Sequence, residues 1–112
     1  MKQTKIAFIG CGNMGRSLIG GLISNGHPPE LLCGADPDTG QRQQLARLFN
    51  ISVFADSNEA VEEASVVVLA VKPQAVSTSI LEIADSLKRQ RPLLVSIAAG
   101  IRLASLSKNA GE

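Results

Sequence analysis

The residues best placed for chemistry are three glycines. Gly10-Cys11-Gly12-Asn13-Met14-Gly15 follows the apolar tetrad Ile6 to Ile9 and opens a stretch of helical period, so a G-x-G-x-x-G run joins a strand to a helix. In that setting Gly10 permits a tight turn, Gly12 lets the main chain approach an anion, and Gly15 lets the helix lie close on the strand. A diphosphate would rest on the free N–H groups and positive dipole end of the helix. Alone the run is a weak signal, because glycines also serve ordinary turns. Asp36 strengthens it: the residue ends the second apolar run, roughly twenty residues beyond Gly15, where a carboxylate accepts hydrogen bonds from adenine ribose hydroxyls. A 2′-phosphate would meet like charge there, which favours NAD over NADP. Asp36-Pro37-Asp38 also suits a plain turn or a helix cap, and Arg42, the nearest cation in sequence, is within reach of a 2′-phosphate. The cofactor choice, NADP or NAD, stays open.

Two more loops fall where such a dinucleotide would continue. Lys72 precedes Pro73 after a long apolar run; its ammonium serves cofactor phosphates or a substrate carboxylate, or it simply faces water. Val71, Pro73 and the small residues Ala98, Ala99 and Gly100 leave room for a flat nicotinamide ring, or else form a tight turn. No catalytic set accompanies them. His27, before two prolines at the far end of the first helix, reads as a surface residue. Cys11 has no neighbouring base to hold it as a thiolate, and Met14 belongs to an apolar stripe and reads as core. There is no general acid, no nucleophile with a partner and no carboxylate pair.

The elements that must position these residues alternate. Ile6 to Ile9, Leu31 to Cys33, Ile51 to Phe54, Val66 to Val71 and Leu93 to Ile97 are the candidate strands, and the near-continuous apolar ones suit parallel strands covered on both faces. Met14, Leu18 and Leu22, with Ile19 and Ile23 beside them, mark a helix that Gly26 stops. Leu45, Leu48 and Phe49 mark a second, and Asn58 caps a short third carrying Ala60, Val61 and Ala64. Pro73 opens a fourth, lined by Val76, Ile80, Ile83, Ala84 and Leu87, with a fifth starting near Leu103. Right-handed crossovers turn this order into an α/β doubly wound parallel sheet, Rossmann-like, with strand order 3-2-1-4-5. The ligand then lies outside the strand ends where the order reverses, between the first and fourth strands.

The chain has 112 residues, 45% of them hydrophobic and 19% charged, which suits one globular domain. A net charge of +1 without charge runs, and three Phe as the only aromatics, give nucleic acid no basic or stacking surface. No apolar run approaches the ~20 residues that span a bilayer, and the N-terminus has no secretory apolar region, so a cytoplasmic protein without membrane partners is expected. Two Cys and one His are too few for a structural zinc site, and both thiols are expected reduced.

Three segments in this order and spacing carry a resemblance: Ile9-Gly10-Cys11-Gly12-Asn13-Met14-Gly15, Ala70-Val71-Lys72-Pro73-Gln74 and Val95-Ser96-Ile97-Ala98-Ala99-Gly100-Ile101. Together they resemble the N-terminal domain of pyrroline-5-carboxylate reductase along the whole chain. The resemblance implies hydride transfer from NADPH or NADH to the C=N carbon of pyrroline-5-carboxylate, the last step of proline biosynthesis. It places Ile9 to Met14 on the pyrophosphate, position 36 on the adenine ribose and Asn58 on a further cofactor contact. Ala70 to Pro73 and Ile97 to Ala99 would take the nicotinamide half. Many relatives carry a small hydroxylated residue where Asp36 stands, which puts their usual NADPH preference in doubt here. Members of the family continue into a helical C-terminal domain that dimerises and supplies most of the substrate pocket, whereas this chain ends at Gly111-Glu112. It is therefore expected to be the cofactor-binding portion, inactive alone and a homo-oligomer only with the second domain. The alternatives are a hydroxyacid-dehydrogenase-like reductase and a non-catalytic NAD(P)-sensing module.

Overall fold

The computed structural model describes residues 4–97 and, by backbone alone, residues 101–102. β1 (Ile6–Ile9), β2 (Leu32–Ala35), β3 (Ser52–Phe54), β4 (Val66–Leu69) and β5 (Leu93–Ser96) form a parallel sheet in the order β3-β2-β1-β4-β5. The expected doubly wound topology is thus present. A short β6 (Ile101–Arg102) adds an antiparallel edge beside β5, where no strand was expected.

Two apolar layers sandwich the sheet. Ile6, Phe8 and Val68 point to the layer closed by Ile19 of α1 (Asn13–Ser24) and Leu45 of α2 (Thr39–Phe49). Ala7, Ile9, Val67, Leu69 and Leu94 point to the other layer. That layer is closed by α3 (Ser57–Val61), α4 (Val76–Glu82) and α5 (Ala84–Gln90). Alternate residues of β1 and β4 therefore meet different helices, which is why these strands read as unbroken apolar runs.

Several boundaries and faces differ from the expected ones. β2 reaches Ala35, paired with Ile9, and passes through Gly34, which must be small: a Cβ there would stand 2.7 Å from Leu45 Cδ2 and 3.0 Å from Cys11 Sγ. β4 ends at Leu69, and Val71 leaves the sheet as the chain turns into a 3-10 turn at Pro73–Ala75. Along α1 the buried residues are Gly15 and Ile19, whereas Met14 is 49% and Leu18 41% exposed, so the core reading of Met14 is corrected. His27 is not a surface residue either: it is 8% exposed, with Nε2 2.8 Å from the Thr4 carbonyl.

Asp56, not Asn58, caps α3, its carboxylate accepting the Asn58 N–H at 2.9 Å. The single helix expected after Pro73 breaks at Ile83. Asn58 Nδ2 donates to the Glu82 carbonyl at 3.0 Å, and a side chain entering the helical ladder in this way is a recognised cause of a break. The fifth helix expected near Leu103 lies outside the described residues. Among the described residues no helix is long and apolar enough to cross a membrane.

Candidate functional site

The β1–α1 loop gives each glycine a distinct geometry. Gly10 has φ +97°, and a Cβ on it would stand 2.6 Å from the Ala70 carbonyl oxygen at the end of β4. A Cβ on Gly15 would stand 2.8 Å from the Gly10 carbonyl oxygen, so the first turn of α1 presses directly on the loop. Gly12 differs. Its backbone is extended, it sits at the N-cap of α1 without a side-chain cap, and no atom lies within 4 Å of where its Cβ would be. Two glycines are thus demanded by the fold. The third leaves open space over the uncapped end of a 12-residue helix, the environment a diphosphate requires. The residues present fit the dinucleotide that the sequence implies.

The end of β2 is tied to this loop. Asp36 Oδ2 accepts the Cys11 N–H and Oδ1 accepts the Asp38 N–H, both at 2.9 Å. Asp36-Pro37-Asp38 therefore does form a turn, with Asp38 as the cap of α2, its Oδ2 accepting the Gln41 N–H at 2.8 Å. Two of the roughly four lone-pair positions on the Asp36 carboxylate stay free for ribose hydroxyls. The Arg42 guanidinium lies over the same turn, donating to the Asp36 carbonyl at 2.8 Å, the Pro37 carbonyl at 3.0 Å and Thr39 Oγ1 at 3.1 Å.

Cys11 shows no exposed surface, and its thiol is pushed up to about 12, chiefly by burial, with the Asp36 charge adding to it and Arg42 and Arg16 opposing. It is a packing thiol under the loop, not a nucleophile. Cys33 is likewise buried and pushed up, on the opposite face of the sheet.

The switch point lies where β1 and β4 part. Gly10 and Ala70 meet there, and the Ala70 N–H donates to the Ile9 carbonyl at 2.7 Å. Val71 is half-buried, while Lys72 and Pro73 are exposed at the start of the 3-10 turn. Ile97, at the end of β5, shares with Asn13, Met14, Ser17 and Leu18 a mainly apolar groove of about 380 Å³. The structure thus brings the phosphate loop, the end of β4 and Ile97 to one edge of the sheet. Ala98 and Ala99 lie outside the described residues. Asn58 lines a second groove, with Glu59, Glu62, Glu82 and Asp85. Both its amide hydrogens already point at protein acceptors, Asp56 Oδ1 and the Glu82 carbonyl, and its Oδ1 accepts from Ser86 Oγ.

One residue the sequence reading passed over is Arg16. It stands in the first turn of α1, with a guanidinium nitrogen donating to Asn13 Oδ1. A cation near a helix N-terminus is opposed by the dipole unless an anion is expected there, and that is the signal that marks it.

Comparison with known proteins agrees with this geometry. A family model described as "NADP oxidoreductase coenzyme F420-dependent" matches residues 5–100. The pyrroline-5-carboxylate reductase of Pseudomonas aeruginosa is 47% identical over all 112 residues, which cover 41% of that protein. The solved structure of a pyrroline-5-carboxylate reductase from Coxiella burnetii superposes with a TM-score of 0.79 at 32% identity, over 83% of this chain and 34% of that one. The 3-hydroxyisobutyrate dehydrogenase of Mycobacterium tuberculosis gives a TM-score of 0.72 at 27% identity, over 96% of this chain and 38% of that one. The chain therefore spans about two-fifths of the length of the relatives it matches. With the family model covering residues 5–100 and the glycine loop in place, the chain belongs to this family of NADP oxidoreductases, in the N-terminal part it shares with pyrroline-5-carboxylate reductases.

Proposed function

We propose that the chain forms the dinucleotide-binding part of a cytoplasmic reductase that passes a hydride from NAD(P)H to the C=N carbon of pyrroline-5-carboxylate, giving L-proline. The observation that carries the binding half of this reading is Gly12, the one loop glycine whose missing side chain the fold does not require. The 47% identity with the Pseudomonas aeruginosa enzyme supports the substrate.

The dinucleotide, when bound, supplies the hydride. The chain's own residues hold it. Main-chain N–H groups at Gly12, Asn13 and Met14 face the diphosphate, with Ile9, Gly10, Cys11 and Gly15 shaping the turn beneath. Asp36 takes the adenine ribose, and Asn58 contributes through the remaining lone pair of its Oδ1. Ala70, Val71, Lys72 and Pro73, with Ile97, Ala98 and Ala99, set the depth of the nicotinamide half, and the apolar groove beside Ile97 runs along that edge. The substrate pocket, the proton donor and the subunit contacts belong to the part of the relatives that this chain does not span. The 112 residues alone bind without turnover.

The test is a pair of measurements. Calorimetric titration of the chain with NADH and NADPH gives saturable binding, and pyrroline-5-carboxylate-dependent oxidation of the reduced cofactor appears once the remaining length of the relatives is supplied. Absence of turnover with both nicotinamides refutes the proposal. The likeness to the 3-hydroxyisobutyrate dehydrogenase supports a second reading, a hydroxyacid-dehydrogenase-like reductase. Oxidation of a 3-hydroxy acid by the same preparation, with none of the imine reduced, would establish it.

A further inference from the structure

The start of α3 lies at the same edge of the sheet as Asp36. The Asp36 N–H donates to the carbonyl of Phe54, the last residue of β3, at 3.1 Å, and α3 begins at Ser57. This is the carboxyl edge, outside which the ligands of doubly wound sheets lie. We propose that Ser86, held by Arg89, is a positioning residue for the dinucleotide: it orients the Asn58 amide so that a hydrogen-bond acceptor faces the bound cofactor. The inference rests on the dinucleotide reading above and deepens it.

Three contacts from separate stretches of the chain fix the amide. Asn58 Nδ2 donates to the Glu82 carbonyl at 3.0 Å and, more weakly, to Asp56 Oδ1 at 3.4 Å. The Glu82 carbonyl is available because α4 ends there, and the last carbonyls of a helix have no partner within it. A carbonyl and a carboxylate only accept, so this side of the amide must be its nitrogen and the oxygen must face the other way. There Oδ1 meets Ser86 Oγ at 3.2 Å.

The direction of that last contact follows from Arg89. Its Nη2 donates to Ser86 Oγ at 3.2 Å, and a guanidinium has no acceptor to offer in return. The hydroxyl hydrogen is therefore left for Asn58 Oδ1. Ser86 is 3% exposed, on a helix that Leu87 holds in the core, so the donor is placed by packed backbone.

An amide oxygen has two lone pairs, and Ser86 takes one. Asn58 is exposed and lines the groove between α3 and the α4–α5 break, among the carboxylates of Glu59, Glu62, Glu82 and Asp85. An acceptor in that company suits a hydroxyl or amino donor of the cofactor and repels a phosphate oxygen. A reversed amide would present N–H instead. The Ser86 hydroxyl thus selects which half of the Asn58 amide the cofactor meets.

The test is a double-mutant cycle on NADH affinity, read by calorimetric titration, with thermal unfolding of each variant alongside. Asn58→Ala removes the contact and Ser86→Ala removes what orients it; each should weaken NADH binding by about three- to tenfold, the worth of one hydrogen bond. In the Asn58→Ala background, adding Ser86→Ala should change the affinity by less than about 1.5-fold, because Ser86 acts only through Asn58. A purely structural Ser86 gives a different pattern: a lower Tm in Ser86→Ala with NADH affinity unchanged, or two losses that multiply in the double variant. Either result overturns the inference. So does an Asn58→Ala variant that binds NADH as the parent does, which leaves the rest of the dinucleotide reading standing. If the parent itself does not bind NADH, that reading has failed and the inference with it.

Discussion

Exchanging the loop glycines one at a time separates the requirements of folding from those of binding. Gly10 has φ +97°, and an alanine Cβ would lie 2.6 Å from the Ala70 oxygen and 2.9 Å from its carbon, main-chain atoms that cannot swing aside. The backbone strain is about 1–3 kcal/mol and the overpacking adds about as much, so Gly10→Ala should cost roughly 2–6 kcal/mol. For a domain of this size that lowers Tm by at least about 10 °C. Gly12→Ala meets no atom within 4 Å and keeps an extended backbone that any residue adopts. Its poorer N-cap, a few tenths to about 1 kcal/mol, is offset by the stiffer unfolded chain, about 0.4–1 kcal/mol, so Tm should stay within about 5 °C. Binding reverses the order. Gly12→Val fills the space over the start of α1 and removes at least two charge-assisted hydrogen bonds of about 1.5–3 kcal/mol each, a loss of more than about 100-fold in NADH affinity. Thermal unfolding followed by circular dichroism and calorimetric titration read the two effects separately. If Gly12→Val binds NADH within about tenfold of the parent, the diphosphate does not lie on this loop. If Gly10→Ala melts with the parent, the positive φ is not what the glycine is for.

Other outcomes follow from neighbouring contacts. Asp36→Ser removes both the like charge and the acceptor of the Cys11 N–H; affinity for both cofactors should fall while their ratio moves toward NADPH by about 1–3 kcal/mol, and parallel NADH and NADPH titrations measure this. Asp38→Ala deletes the cap on the Gln41 N–H and should destabilise the fold by about 1 kcal/mol in urea unfolding, leaving cofactor affinity nearly unchanged. The folded Cys11 thiol ionises near 12 against an ordinary 9.0, so as pH rises the unfolded chain loses its proton first. Its contribution is fully present below 9.0 and disappears between there and about 12. The stability difference between parent and Cys11→Ala should therefore narrow when urea unfolding is repeated at about pH 10 instead of about pH 8. Alkylating reagents should label Cys11 and Cys33 only after unfolding, because both are buried.

Much of the fold is legible in the residue order because the relevant patterns are local. Five apolar runs separated by helical stretches specify a parallel sheet, and the handedness of crossovers leaves few strand orders to choose from. The glycine run declares the loop, since the spacing of Gly10, Gly12 and Gly15 repeats the needs of a strand, an anion and a helix. The phase of α1 is less local. Gly15 pressing on the Gly10 carbonyl fixes the helix rotation, so Met14 and Leu18 face the groove beside Ile97 and not the core. His27 is buried because the Thr4 carbonyl, distant in sequence, waits for its Nε2. The break at Ile83 arises from Asn58, which reaches across from another helix to the Glu82 carbonyl.

The sequence by itself determined the class of ligand, because a strand-to-helix turn with glycines at this spacing is what a dinucleotide's diphosphate requires. Tertiary structure alone decided what each glycine is for and which main-chain groups Asp36 holds. Asp36 and Cys11 follow different strands, and the hydrogen bond between them exists only once β1 and β2 are packed side by side.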